Sequence, residues 1–243
     1  FATKFIHGFN LKSYSFIKYK TDQKDKYKKT HFRKILQITE HNPIIIFDLR
    51  RRVRFHDGHE FDSGDVLFTY RSIMDVKTAS PRRSDYEPVK SIEALGPYKI
   101  LITYKRLFSP AINSWFIGIL PEHLLNPEAL KKEALAQKAD PEKFYIRDSQ
   151  FNRNPIGTGL FRFFEWQSDE LIRLKRNEDY WEGPPEYQEY IMRIIPDPLT
   201  QEMEFYAGAV DNYSVQPHQV ARFKRNDNYQ SFSSLGYFFA YIG

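Results

Sequence analysis

The chain has 243 residues, 41% of them hydrophobic and 28% charged, which is an ordinary composition for a globular protein with its own core. It has no cysteine, which excludes disulfides and thiolate metal sites, and no apolar run approaches the roughly 18 residues of a membrane-spanning helix. The charge is uneven: residues 1–56 carry 14 Lys or Arg against 4 Asp or Glu, and the remainder carries 22 against 27.

The elements predicted in the first half of the chain follow from apolar alternation, turn residues and helix caps. They are a polar loop or short helix at residues 18–34, a strand at 43–53, a turn at Asp57-Gly58, a helix starting at Asp62 or Ser63, and a strand at 99–105 after a Gly96-Pro97 turn. Within the helix, Val66, Tyr70 and Ile73 recur at helical spacing.

The second half of the chain alternates irregularly between strand and helix signals. The predicted elements are helices at 120–125, 127–138, 199–207 and 217–223, strands at 160–166, 171–176, 190–195, 210–215 and 237–242, and a Gly-containing loop at 155–159. This order predicts an α/β protein with a mixed sheet.

Six segments, in this order, resemble the peptide/nickel (oligopeptide/dipeptide) class of ABC transporter solute-binding proteins. They are Phe47 to Tyr70 (FDLRRRVRFHDGHEFDSGDVLFTY), Ile119 to Leu124 (ILPEHL), Asn154 to Gly159 (NPIGTG), Leu174 to Trp181 (LKRNEDYW) with Gly183 and Pro184, Arg193 to Pro198 followed by Ala207-Gly208 and Asp211, and Leu235 to Phe238 (LGYF). Leu160-Phe161 and His59 depart from the family pattern, and the first 40 residues do not match it clearly.

The resemblance implies a periplasmic-binding-protein-like (type II) lobe with a mixed β-sheet and flanking helices. Residues 1–243 would be mostly lobe I of a two-lobed protein. Residues 45–150 would form a peripheral subdomain, residues 151–243 with part of the N-terminus a sheet subdomain, and lobe II would be largely absent. Since the sequence starts at Phe1 with neither Met nor a signal sequence, we expect a processed chain or a piece of a longer one.

The resemblance also implies a function. We expect extracytoplasmic capture of a small solute, an oligopeptide first of all, by closure of two lobes, and its delivery to the membrane permease of an ABC transporter. The expected location is periplasmic, or extracytoplasmic and membrane-associated, and the expected state is a monomer. We expect no cofactor, no metal, no nucleic-acid partner and no enzymatic activity.

The residues expected to contact the solute are aromatic or lie in a glycine loop. The resemblance places Tyr237, Phe238 and Phe239 near the crossover between lobes, where rings bury area and Tyr keeps a hydroxyl. Trp115 and the loop residues Thr158 and Gly159 complete the set. The plainer interpretation makes Trp115 a core residue and the loop a structural turn. Residues 175–181 are interpreted as a structural corner in which Trp181 packs.

A metal site and a basic binding surface stay open as alternatives. His56-Asp57-Gly58-His59 contains imidazole and carboxylate ligands, but Asp-Gly is also what a tight turn needs. Residues 1–56 are basic enough to bind nucleic acid or another anionic polymer, although residues 24–34 lack the interleaved aromatic side chains that favour single strands.

An enzyme is the third alternative. The sequence has no G-x-S-x-G elbow, no H-E-x-x-H motif and no cysteine nucleophile. Carboxylates such as Glu165, Asp197 and Glu202 could form an acid/base pair, but a chain with 31 acidic residues offers many such pairs. The motifs therefore favour solute capture over catalysis.

Overall fold

The structure is a computed structural model that describes residues 42–226 and 228–232 with their side chains and residues 2–8 as backbone. The predictions for residues 18–34 and 237–242 lie outside this part. The described residues divide into two compact units. The first unit contains the described residues up to Gln167 together with Leu171 to Met192. The second unit contains Ser168 to Glu170 and the described residues from Arg193 onward.

A four-stranded antiparallel sheet carries the main core of the first unit. Its strands are β1 (Ala2–Gly8), β2 (Ile44–Leu49), β3 (Val89–Gly96) and β4 (Lys99–Tyr104), in the order β1-β2-β4-β3. Strands β2 and β4 bury every second residue, as their alternating sequences predict. Ile102 of β4 lies opposite Ile45 of β2 and Ile92 of β3, so the core centres on this strand.

Helix α1 (Ser63–Met74) starts where the sequence predicts. Asp62 is its N-cap: the Asp62 carboxylate accepts a hydrogen bond from Gly64 N–H, and Asp65 accepts one from Asp62 N–H in return, which completes a capping box. Val66 is buried in the core cluster, with Tyr70 and Ile73 packed against it. The helix therefore covers one face of the first sheet's core.

Short helices and turns connect β4 to the second sheet. Helices α3 (Glu122–Leu125) and α4 (Pro127–Ala136) lie in this connection, whereas the short helix α2 (Arg83–Tyr86) precedes β3. The start of α3 is tied to α1, because buried Asp65 accepts from Glu122 N–H at 2.9 Å and Thr69 Oγ1 accepts from Leu120 N–H at 2.8 Å. Burial raises the pKa of Asp65. These contacts fix the turn that the sequence predicts around Pro121.

A three-stranded sheet follows in the order β5-β6-β7. Its strands are β5 (Phe161–Gln167), β6 (Leu171–Arg176) and β7 (Glu189–Arg193). β5 and β6 form the predicted antiparallel pair, with Phe161 opposite Arg176 and Gln167 opposite Leu171. The loop at 155–159 leads directly into β5.

The second unit contains helices α5 (Pro198–Tyr206) and α6 (Val220–Phe223), both predicted. The predicted strand at 210–215 is wrong, because the structure gives this segment no strand pairing. Its central ring, Tyr213, packs instead on Phe205 and Phe223, with ring centroids 5.7 Å apart in both cases. The apolar alternation reflects contacts with two helices.

Strand β3 is an element that the sequence pattern does not reveal. Of its eight residues only Val89 is buried, and its Lys, Ser, Glu and Ala residues do not alternate with apolar ones. Among the described strands it pairs with β4 alone, at the edge of its sheet. An edge strand can be this polar because one side of it needs no core contacts.

Strands and helices together confirm the α/β class with flanking helices. In the part of the chain that the structure describes, no helix has the length and apolar character needed to cross a membrane.

Candidate functional site

The predicted Asp57-Gly58 turn forms a tight loop beside the second sheet. Gly58 N–H donates to the Phe55 carbonyl at 2.8 Å, and Gly58 adopts φ +92°, a conformation that glycine tolerates best. The Asp57 carboxylate accepts from His59 N–H at 3.1 Å, the local bond that makes Asp a turn residue. The turn presents His56 on one side and His59 on the other.

His56 holds the predicted glycine loop in place. Its backbone N–H donates to the Gly157 carbonyl at 2.9 Å, and its Nδ1 accepts from Gly157 N–H at 3.2 Å. Its Nε2 lies 3.1 Å from the Gly159 carbonyl, which can only accept, so this network assigns the ring proton to Nε2. A neutral imidazole satisfies all these bonds, whereas a protonated one would direct a hydrogen from Nδ1 at another N–H.

The surroundings of His56 favour the same neutral form. Burial lowers the pKa of His56 below its ordinary value. The hydrogen bond to Gly159 and the charge of Asp57 oppose this shift, while the charge of Arg162 adds to it. The folded chain therefore resists protonation of this ring.

Acidification is expected to destabilise the first unit through His56. Because the unfolded chain binds the proton more readily, this contribution to stability is complete above the ordinary pKa of 6.5 and is lost as the pH falls from that value through the lower pKa of the folded chain. Urea unfolding at pH 7.5 and pH 5 measures the loss, which we expect to be smaller in His56→Gln. His218→Gln, at an exposed histidine of the second unit, is the control. If His56→Gln and the unsubstituted protein lose the same free energy of unfolding on acidification, His56 is not the group responsible.

Asn177 and Arg162 fix the other side of the loop. Asn177 is 2% exposed; its Nδ2 donates to the Gly159 carbonyl at 3.0 Å, and its Oδ1 accepts from Arg162 Nε at 2.9 Å and Nη2 at 2.7 Å. Arg162 also donates from Nη1 to the His56 carbonyl at 3.0 Å and pairs with Asp179 at 2.7 Å. One buried amide therefore connects the loop, β5 and the chain after β6.

A polar depression of about 550 Å³ opens beside this network. Residues from the segment after β2, from β5 and from the corner after β6 line it, among them Arg52, Arg54, Arg162, Asn177, Asp179 and Tyr180. Its size falls within the range of small-molecule sites. Its lining is more polar than that of an ordinary apolar ligand pocket.

The second imidazole of the turn has a different environment. His59 stacks on His123, with ring centroids 3.9 Å apart, and His123 Nε2 lies 2.6 Å from Asp57 Oδ2. Partial burial raises the pKa of Asp57, but the hydrogen bonds from His123 and from His59 N–H outweigh it and lower that pKa. His56 and His59 thus face different partners. Among the described residues, no cluster of three or more His, Asp or Glu side chains could hold a metal ion.

Trp115 lies against the core of the first unit. Its ring is 5.1 Å from that of Tyr86 in an edge-to-face arrangement and 6.2 Å from those of Phe47 and Tyr70. Its Nε1 donates to the hydroxyl of buried Tyr104 at 2.9 Å. The ring is nevertheless only half-buried, so one part of it remains accessible.

The other predicted solute contacts divide between two places. Thr158 is half-buried and Gly159 is exposed, and both lie in the loop held by His56 and Asn177. Tyr237, Phe238 and Phe239 lie outside the described residues. The structure brings Thr158 and Gly159 together and places Trp115 in a separate environment.

The sequence pattern does not identify His56, Arg162 and Asn177 as the residues that hold the loop. It indicates only a turn or a metal ligand for His56 and a structural corner for Asn177. Trp181 does pack at that corner, where Arg50 lies 4.0 Å from the centre of its ring. One feature of the sequence could have indicated the role of Asn177: it is a polar amide directly after the predicted strand at 171–176, in the segment LKRN.

Comparison with known proteins places these features in a family. The family model for bacterial extracellular solute-binding proteins, family 5 Middle, matches residues 32–243. Among curated proteins, the oligopeptide-binding protein AppA of Bacillus subtilis is 30% identical over 200 residues, and Protein XP55 of Streptomyces lividans is 27% identical over 203. These alignments cover 80% and 84% of this chain but only 34% of each relative.

Solved structures give the same result. NikZ from Campylobacter jejuni, in complex with Ni(L-His), matches with a TM-score of 0.64 at 29% identity, over 76% of this chain and 34% of that one. AppA from Bacillus subtilis, in complex with a nonapeptide, matches with a TM-score of 0.61 at 28% identity, over 76% and 35%. The chain thus spans about a third of the length of the relatives it matches.

Proposed function

The chain belongs to the bacterial extracellular solute-binding proteins, family 5, and on that basis we propose that it captures oligopeptides outside the cytoplasm for an ABC transporter permease. The observation that carries the proposal is the family match over residues 32–243, joined to a fold similar to that of a protein solved with a nonapeptide. No bond is made or broken in this function, so we assign no catalytic residue. The matches do not favour the alternative of a basic polymer-binding module.

The proposed mechanism is closure of two lobes around the solute. A ligand that contacts both lobes shifts an open–closed equilibrium toward the closed form, which the permease can distinguish. We propose that this chain is mostly the first lobe, with residues 45–150 as a peripheral subdomain and residues 151–243 with part of the N-terminus as the sheet subdomain. The second lobe would come from further chain, and the protein would act as a monomer in the periplasm or at the outer side of the membrane.

An oligopeptide suits an exposed loop with accessible backbone. Extended peptides can be held through main-chain hydrogen bonds, which leaves their side chains free to vary. We propose that Thr158 and Gly159 approach the solute, that Tyr237, Phe238 and Phe239 contribute rings, and that the accessible part of Trp115 contributes an edge. The loop is suited to this role because His56 and Asn177 hold it rigid before any solute arrives.

A substitution at Gly159 tests the proposed loop contact. A Cβ built on Gly159 meets no atom within 4 Å, and its φ lies outside the left-handed region, so Gly159→Ala should leave the melting temperature unchanged. A methyl group between the loop and a solute should weaken peptide binding about tenfold, roughly 1.4 kcal/mol. Isothermal titration of the complete protein with a mixture of short peptides measures the effect.

Gly118→Ala is the matched control, because Gly118 also has open space around its Cβ position. We expect it to change neither stability nor affinity. Unchanged affinity in Gly159→Ala would remove the loop from the binding site. Absence of peptide binding by the unsubstituted protein would instead overturn the proposed solute.

A further inference from the structure

Three consecutive arginines after β2 have different surroundings. Arg50 stacks on Trp181 at 4.0 Å and pairs with Glu182 at 3.6 Å, and Arg51 lies 5.4 Å from the ring centre of Tyr98. Arg52 has no hydrogen-bond, ion-pair or ring partner among the residues that the structure describes. It lines the 550 Å³ depression instead.

Arg52 also has an unusual backbone. Its φ is +60°, in the left-handed region that side-chain-bearing residues rarely adopt. Such a conformation is energetically unfavourable for a residue with a side chain and recurs at functional sites. Glycine would relieve it, yet this position carries a long cationic side chain directed to the depression.

Arg54 is a second cation at the same depression. It is exposed, lines the same depression and has no ion-pair partner within the described ranges. Glu60 lies opposite it in a β-bridge, but the Glu60 carboxylate accepts a hydrogen bond from Tyr98 at 2.6 Å. Two arginines therefore line one depression, and no described carboxylate forms an ion pair with either of them.

The carboxylates that line the depression already have partners. Asp57 lies 2.6 Å from His123 Nε2, and Asp179 pairs with Arg162 at 2.7 Å. Neutral His56 adds no charge. Within the described part of the chain, the positive charges of Arg52 and Arg54 thus have no carboxylate partner, and they lie in a concave site where low-dielectric walls strengthen the attraction of an anion.

Arg162 supplies a rigid third group. Asn177, Asp179 and the His56 carbonyl hold four of its five N–H groups, and one Nη1 hydrogen has no acceptor among the described residues. Guanidinium groups bind carboxylate and phosphate oxygens in a forked geometry. One fixed and two adjustable guanidinium groups are a suitable set for a small oxyanion.

We propose that this depression is a binding site for a small oxyanion, a carboxylate or a phosphate, held by Arg52 and Arg54 beside the fixed Arg162. This site goes beyond the proposed peptide capture, which requires contacts at the glycine loop and no anion here. Because the network that positions Arg162 also holds Gly159, an oxyanion bound in the depression would stiffen the loop.

The test uses the complete protein in a chloride buffer free of oxyanions. Inorganic phosphate and succinate are titrated separately, with binding followed by calorimetry and by the rise in melting temperature. We expect saturable binding of at least one of them, weakened about tenfold by Arg54→Gln and by Arg52→Gly. Because φ +60° is favourable for glycine, Arg52→Gly should melt at the same temperature as the unsubstituted protein or higher. Arg106→Gln, at an exposed arginine outside the depression, should bind as the unsubstituted protein does.

The two titrations distinguish the sources of the oxyanion. Binding of phosphate alone assigns a phosphate-bearing ligand, and binding of succinate alone assigns a carboxylate. Failure of both at millimolar concentration, or equal binding by the Arg52 and Arg54 variants and the Arg106 control, would overturn the proposal. Peptide binding is measured on the same samples, so a protein that binds peptides but neither anion refutes only this site.

Discussion

Replacing Asn177 by alanine is expected to lower the free energy of unfolding by about 3 kcal/mol. The side chain is 2% exposed and makes bonds to three segments of chain: Gly159, Arg162 and Asp179. Removing it leaves two donors of a half-buried guanidinium without acceptors, and hydrogen bonds to charged groups contribute roughly 1.5–3 kcal/mol each. The Gly159 carbonyl keeps His56 as a partner, which limits the loss.

Two further variants show whether the loss of stability comes from the hydrogen bonds of Asn177 or simply from deleting an asparagine side chain. Asn177→Asp keeps the acceptor for Arg162 but sets an oxygen against the Gly159 carbonyl in place of the Nδ2 donor, so its loss measures the loop contact separately from the bonds to Arg162. Asn113→Ala, at an exposed asparagine, should stay within about 0.5 kcal/mol. Urea unfolding followed by circular dichroism measures all three. A loss below about 0.5 kcal/mol for Asn177→Ala would show that water replaces the network and that Asn177 does not organise the loop.

Ile102→Ala should have a still larger effect, about 4 kcal/mol. Ile102 is fully buried in β4, between Ile45 of β2 and Ile92 of β3. Deleting three carbons there removes apolar contacts and leaves a cavity that two flanking strands cannot close. Thermal or urea unfolding gives the value.

The neighbouring residue provides the control. Leu101 lies on the opposite face of the same strand and is only half-buried, so Leu101→Ala should cost less than half as much. Equal losses at the two positions would mean that both faces of the sheet are packed alike, contrary to the alternation of burial along β2 and β4.

The sequence predicts those elements whose local pattern agrees with their packing. Strand β4 alternates because one of its faces is buried, and α1 begins directly after Asp62 because the acidic side chain there satisfies backbone donors. Strand β3 lies at the edge of its sheet and carries no such alternation. Around Tyr213 the sequence does alternate between apolar and polar residues, but Tyr213 packs against a helix and not within a sheet. Local periodicity therefore predicts half-buried strands well and edge strands poorly.

The candidate site could be predicted only in pieces. The Asp57-Gly58 turn and the 155–159 loop follow from glycine and turn chemistry close together in sequence. The bonds between them do not, because His56 and Gly159 lie 103 residues apart and nothing local to either indicates the other. For the same reason the sequence indicates only a corner at Asn177, although the amide of Asn177 bonds to both Gly159 and Arg162.

Native mass spectrometry of the complete protein, purified without refolding, is the decisive test of oligopeptide capture. We expect a series of bound masses that match short peptides, released on denaturation and replaced when a defined peptide is added. One bound species that is not a peptide would keep the solute-binding family and replace the proposed solute. A protein that is free of ligand, and stays so after incubation with peptides of two to nine residues, would contradict oligopeptide capture.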